Sequence, residues 1–443
     1  MSTTKKIVYG MLLLFGIFLI YFVYTGLQYA YIASSYAAKT VCSCVFVSGR
    51  EPDAVLSEDL YAAPFVKTEI DQDNKSVSTN LYGFAAAKAI FRKGLGCTLV
   101  NELTETEIRQ QTGLQITDKL PESLVKVQMI PPTIDSAALF KAIDLAFQEK
   151  DTSHIIRTRA ITIFYKGQLL AEKYGKGITE NTPLLGWSMT KSVTNAMIGL
   201  LVKDGKIDIS KPAPIAEWKD DERKQITTDQ LLRMSSGLDF EEIYSLPSDA
   251  TQMLFRKKGA GAYALLSKQR AKPDQEWYYS SGTSNILQEI ARRQFGSQAD
   301  YLAFPHLRLF QKIGMKSAVL EPDASGTYVG SSFMYATGRD WAKFGQLYLQ
   351  DGIWNGERLL PEGWVKYSAT ETPLSKGTYA AQFWLNHNDK NFPQDAFMAL
   401  GFEGQSVTIV PSKELVIVRL GCTPNENDFD RNQFIKSIVA TVK

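Results

Sequence analysis

The stretch GWSMTKSVTNAMIGLLVKDGKIDI, residues 186–209, decides how the chain is read. Met189, Val193, Ala196, Met197, Leu200 and Leu201 recur at helical spacing, and Gly205 supplies a C-terminal stop. Ser188 stands at the N-terminal end of this helix. Lys191 follows one turn later, so both side chains share a face. A helix N-terminus presents free backbone N–H groups and the positive end of the helix dipole. Such a field, with partial desolvation, pushes an ammonium toward its neutral form. A neutral lysine can then take the proton of a neighbouring serine, which nucleophilic attack requires. The spacing S-x-x-K alone is weak, because it recurs at Ser2/Lys5 and Ser123/Lys126. Only Ser188/Lys191 opens a long amphipathic helix. The competing reading is a helix cap followed by an exposed lysine.

The flanks give that helix a setting. SAALFKAIDLAFQEKD, from Ser136, has helical spacing at Leu139, Ile143 and Phe147. RAITIFYKGQLLAEKYG, from Arg159, reads as two strands around Lys166-Gly167. GQSVTIVPSKELVIVRLG, from Gly404, reads as two more around Pro411-Ser412-Lys413, and DRNQFIKSIVATVK closes the chain as an amphipathic helix. This order predicts an α+β fold over 136–443. An antiparallel sheet is flanked by the N- and C-terminal helices, with a mostly helical lobe on one side.

Further segments fall in one order. They are SMTK at 188–191, LLRMSSGLDF, EWYYSSGTSNILQEIARRQFG, TGRDWAKFGQLYLQDGIWNGERLLPEGWV, and GFEGQ before the last strand pair. Together they resemble the serine β-lactamase and penicillin-binding superfamily. The class C-like branch, with its esterases, DD-peptidases and 6-aminohexanoate-dimer hydrolases, is the most similar. The resemblance implies Ser188 as nucleophile, Lys191 as general base and Tyr279 as the proton relay to the leaving group. Tyr278 is expected to pack elsewhere. Ser281 stands where many relatives carry Asn, and its hydroxyl can still bond Lys191. The family's Lys/His-Thr-Gly element aligns with Phe402, Glu403 and Gly404. Gly404 would let substrate lie against the strand, and the amides of Gln405 and Ser188 would form the oxyanion hole. Trp187, beside the nucleophile, is a candidate cleft residue.

Phe402 departs from the pattern. A cation there would hold the carboxylate of a penicillin or a D-Ala-D-Ala peptide, and phenylalanine cannot. Glu403 adds negative charge. The reading is therefore a serine hydrolase of a small-molecule ester or amide, ahead of a β-lactamase or DD-peptidase. A catalytically silent binding module on the same fold is the alternative of another class. Arg256, Lys257 and Lys258 read as a solvated charge run. GWSMT lacks the second glycine of a nucleophile elbow.

The N-terminal third supplies location. Between Lys6 and Lys39 the chain carries no charge, and residues 7–33 exceed the roughly 20 apolar residues that cross a bilayer. Residues 1–35 therefore read as an uncleaved anchor. Lys5 and Lys6 favour a cytoplasmic N-terminus, and the catalytic domain then lies beyond the inner membrane. Small residues around Ala30–Ser35 leave cleavage open, and Cys42 invites a lipoprotein reading. Residues 36–135 read as an extension with strands in VCSCVFVSGR and SVSTNLYGFAAAKAIFRKGLGCTLV, then the linker PESLVKVQMIPPT. Disulfides are permitted in that location. Cys42 and Cys44 are awkward partners for each other, which leaves Cys97 and Cys422 as their candidates. The 49 basic and 47 acidic residues nearly cancel, which argues against a nucleic-acid partner. Three scattered histidines argue against a metal cage, and no cofactor is implied. The oligomeric state is not readable.

Overall fold

In this computed structural model, residues 3–114, 129–149, 151, 153–245 and 247–443 are described. One helix, α1 (Thr3–Phe46), runs unbroken for 44 residues. Its first half is bare and apolar: Leu14 and Ile20 are 68% and 71% exposed. From Ser34 the same helix is inside protein, with Ala37, Ala38, Val41, Cys42 and Val45 buried. Two expectations are thereby corrected. The boundary placed at residue 35 lies within a continuous helix, and the strand read in VCSCVFVSGR is helical as far as Phe46. Its β-branched and cysteine residues suit a strand by propensity. Every residue from Ala37 to Val45 is buried, however, and packing on all sides of the helix outweighs propensity.

A four-stranded antiparallel sheet wraps this buried half. It consists of β1 (Lys67–Asp71), β2 (Ser76–Leu81), β3 (Phe84–Arg92) and β4 (Gly96–Leu99), in that order. The Thr79 hydroxyl donates to the Ser34 carbonyl at 2.8 Å. A disulfide joins Cys42 on α1 to Cys97 on β4, while Cys44 and Cys422 are buried free thiols. Lys39 pairs with Glu321 of the catalytic unit, and Glu321 also accepts from the Ser43 hydroxyl and the Cys97 amide. The apolar core is continuous from α1 into the catalytic unit. Most of the expected linker, with Ser123 and Lys126, lies outside the described residues, as does Ser2.

The catalytic unit is built on a second sheet, β5 (Thr158–Tyr165), β6 (Gln168–Tyr174), β7 (Phe397–Gly401), β8 (Gln405–Val410) and β9 (Leu415–Gly421). Every pairing is antiparallel, in the order β7-β8-β9-β5-β6. Alternation along the strands sets the layers. Ile161, Ile163 and Ile417 meet the terminal helices α2 (Ser136–Ala146) and α6 (Arg431–Val439) through Leu139, Ile143, Ile435 and Ile438. Phe164, Val416 and Val418 belong to the opposite core. There lie α3 (Met189–Lys203), α4 (Ser281–Arg292) and α5 (Gly338–Leu349). This is the expected α+β arrangement.

One detail differs. Helix α3 is enclosed on all sides from Met189 to Leu201, rather than half-exposed. Its buried polar residues are satisfied internally. Asn195 donates to the Ala381 carbonyl and accepts from Tyr348, Trp364 and Ser368. Enclosure fixes the helix, and so the first turn that carries Ser188 and Lys191.

Candidate active site

The backbone turns sharply just before α3. Trp187 adopts a left-handed conformation (φ 46°), a costly one for a bulky residue, and Ser188 follows as the N-cap. The Trp187 indole donates to Glu403 Oε2 at 3.0 Å, and its ring meets that of Phe402 edge-on at 5.9 Å. The strained residue is thus held from two sides, and the Ser188 side chain is free of capping duty.

Lys191 Nζ lies 3.0 Å from Ser188 Oγ, Ser281 Oγ and the Ser331 carbonyl oxygen. All three are neutral acceptors. The amine also sits 4.8 Å over the Tyr279 ring. Burial pushes the Lys191 pKa down to about 8, partly opposed by the negative charge of Glu242. About a tenth of the amine is therefore neutral at pH 7. In that form two N–H groups satisfy Ser281 and Ser331, and the lone pair faces Ser188. Tyr279 is hydrogen bonded to Ser188, and burial raises its phenol well above the usual range, so it stays a proton donor. The three groups named from sequence therefore meet at one point. Ser281 also bonds the amine, as its hydroxyl allowed. Tyr278 is turned away, accepting from the Glu242 amide, with Arg270 stacked on its ring.

Glu242 and Tyr244 were not singled out from sequence. The Ser281 hydroxyl and amide donate to the two Glu242 oxygens at 2.5 and 2.8 Å. Tyr244 hydrogen bonds with Glu242 and with Ser281 Oγ. Both residues follow LLRMSSGLDF in an irregular loop, where no periodicity marks a side chain as inward-facing.

The register of the sheet edge corrects the oxyanion assignment. β7 ends at Gly401, and Phe402–Gly404 form a turn before β8. Gly401 is the glycine that lies against the nucleophile segment, since a Cβ there would collide with the Gly186 carbonyl. Gly404 (φ 80°) instead makes room for Arg419. Gln405 is buried in β8, with its side chain bonded in both directions to the Gly421 backbone. Phe402 lines the cavity that contains Ser188, while Gln405 and Glu403 line a separate small one. The amides of Ser188 and Phe402 have no acceptor among the described residues. The turn therefore leaves Phe402, rather than Gln405, at the Ser188 cavity. Glu403 points away from Ser188, accepting from Trp187 and from Tyr61 at 3.0 Å.

The Ser188 cavity encloses about 800 Å³. Trp187, Tyr244, Tyr279 and Phe402 line it beside Ser188, and α1 forms one wall. Arg256 stacks on Tyr31, and Lys257 pairs with Glu102; neither lines this cavity, nor does any histidine. Among the described residues no cluster suited to a metal ion occurs.

The fold is that of the serine β-lactamase and penicillin-binding class. Residues 143–440 match the Beta-lactamase family model, and the chain belongs to that family. It is 25% identical over 293 residues to a 6-aminohexanoate-dimer hydrolase of Paenarthrobacter ureafaciens, covering 60% of this chain and 73% of that one. A Bacillus anthracis structure provisionally described as a 6-aminohexanoate-dimer hydrolase superposes with TM-score 0.55 at 26% identity, covering 69% of this chain and 80% of its own. A family VIII carboxylesterase shares the fold at TM-score 0.56 and 16% identity, over 71% of this chain and 98% of its own. The protein is a serine hydrolase of this family.

Proposed function

We propose that the chain is a membrane-anchored hydrolase that cleaves a carboxylic ester or amide through an acyl-enzyme on Ser188. The observation that carries this is the buried Lys191 amine, 3.0 Å from Ser188 Oγ and surrounded by neutral acceptors. Lys191 takes the Ser188 proton as Oγ attacks the carbonyl carbon. The amides of Ser188 and Phe402 receive the oxyanion. The C–O or C–N bond then breaks, and the leaving group takes a proton relayed from Lys191 by Tyr279. Water, deprotonated by the same pair, attacks the acyl carbon, and the carboxylic acid leaves with Ser188 restored.

Among the described residues lining the cavity no cation is present to receive a substrate carboxylate, which favours esters and amides over β-lactams. Anchoring rests on the exposed apolar half of α1, and an uncleaved helix on the buried half that follows it. The test is a panel of p-nitrophenyl esters, nitrocefin and linear amide dimers. Turnover of esters or amides should exceed that of nitrocefin and vanish in Ser188→Ala. Turnover surviving in Ser188→Ala overturns the assignment.

A further inference from the structure

One wall of the Ser188 cavity is α1 itself. Gly26, Ala30 and Ala33 lie one helical turn apart along the cavity, and their small side chains leave a channel beside the helix. Phe65 and Phe255 face it from the extension and the helical lobe. Glu242 is the sole charged residue among the described lining, and its oxygens are engaged by Ser281. A volume of about 800 Å³ accommodates a ligand of substantial size.

A second observation fixes what this channel opens toward. Thr79, near the tip of the β2–β3 hairpin, bonds Ser34, while Cys97, paired with Phe91 at the hairpin's open end, is joined to Cys42. The tip of the β2–β3 hairpin therefore points back along α1 toward its N-terminus. Behind that tip, Ala86 and Ala87 share a hollow with Tyr24 and Gln28. The tip presents Tyr82 and Phe84, 83% and 70% exposed. Exposed aromatic residues at this level suit a bilayer interface. Residues 7–27 of α1 reach about 30 Å, the thickness of the hydrocarbon layer, so the channel begins where the span ends.

We propose that the substrate is a membrane amphiphile, an ester or amide without an anionic group at its reacting end. Its hydrocarbon chain lies along Gly26, Ala30 and Ala33, and its carbonyl rests over Ser188. The proposal builds on the anchored serine-hydrolase reading above. The chain passes from lipid to protein without crossing water, and the bond to be cleaved stays at the polar end of the channel.

The full chain in phosphatidylcholine nanodiscs is treated with ethyl and dodecyl fluorophosphonates, and Ser188 labelling is timed. Long chains also concentrate in the bilayer, so the decisive quantity is how the dodecyl-to-ethyl rate ratio responds to filling the channel. Ala30→Trp should lower that ratio about tenfold or more. Gly26→Leu is the second variant, because a Cβ there meets nothing within 4 Å. An unchanged ratio in both variants, with ethyl labelling intact, overturns the amphiphile proposal and leaves the hydrolase reading standing. In parallel, a diazirine-bearing phosphatidylcholine is photolysed with Ser188→Ala. Crosslinks in α1 or at Phe65, reduced by Ala30→Trp, support chain binding. Their absence counts against it. Crosslinking with no fluorophosphonate labelling of the wild type overturns the hydrolase reading alone.

Discussion

Two buried lysines, Lys39 and Lys191, show how surroundings decide what an amine does. Lys39, on α1, reaches a carboxylate directly: it pairs with Glu321, donates to Ser43 Oγ at 3.1 Å and lies 4.5 Å over the Phe333 ring. Burial pushes its pKa down as well, but the Glu321 carboxylate in contact opposes that shift, and the pair serves as a joint between α1 and the catalytic unit. Lys191 meets only neutral acceptors, and Glu242 is reached through Ser281. Its charge is unmatched at close range, so burial drives it toward the neutral, basic form.

The sharpest way to break that comparison is to remove the reactive amine. Lys191→Ala should lower kcat on a p-nitrophenyl ester by about 10³–10⁴-fold, with far-UV circular dichroism and Tm retained. Full turnover in that variant would assign the base elsewhere. Lys39→Met should act on stability: leaving Glu321 buried and unpaired costs about 3–5 kcal/mol, read by urea unfolding of the full chain in detergent. The double variant Lys39→Met/Glu321→Leu should recover most of the loss. If Lys39→Met alone is neutral, the joint between α1 and the catalytic unit is not held by this pair.

The smallest effect is a shift in pH dependence. Activity requires neutral Lys191, so kcat/KM should fall as pH drops through about 8. The Glu242 carboxylate favours the ammonium and raises that pKa. Glu242→Gln keeps the side-chain shape and one acceptor oxygen and removes the charge, so the acidic limb should move to lower pH. A limb that stays in place or moves upward would show that Glu242 does not act on Lys191 through its charge.

The bare apolar stretch of α1, the hairpins of the central sheet and the Ser188-Lys191 pair were legible because each is local. Their signals are hydropathy, alternation, and two side chains one turn apart on a single helix. Tyr279 and Ser281 lie far along the chain, and family resemblance alone brought them to Lys191. The turn at Phe402–Gly404 hid the register of the sheet edge. Counting along an uninterrupted strand puts Gln405 at the Ser188 cavity, and the turn puts Phe402 there instead.

Sequence by itself therefore determined the hairpins of the central sheet and the closeness of Ser188 to Lys191, because backbone geometry within one helix or strand fixes those relations. Only the tertiary structure decided that Cys42 joins Cys97, that Glu242 and Tyr244 reach Ser281, and that one end of α1 is bare while the other is core. Those outcomes depend on which faces come together, and close packing across chain separations of tens to hundreds of residues leaves no periodic mark in the sequence.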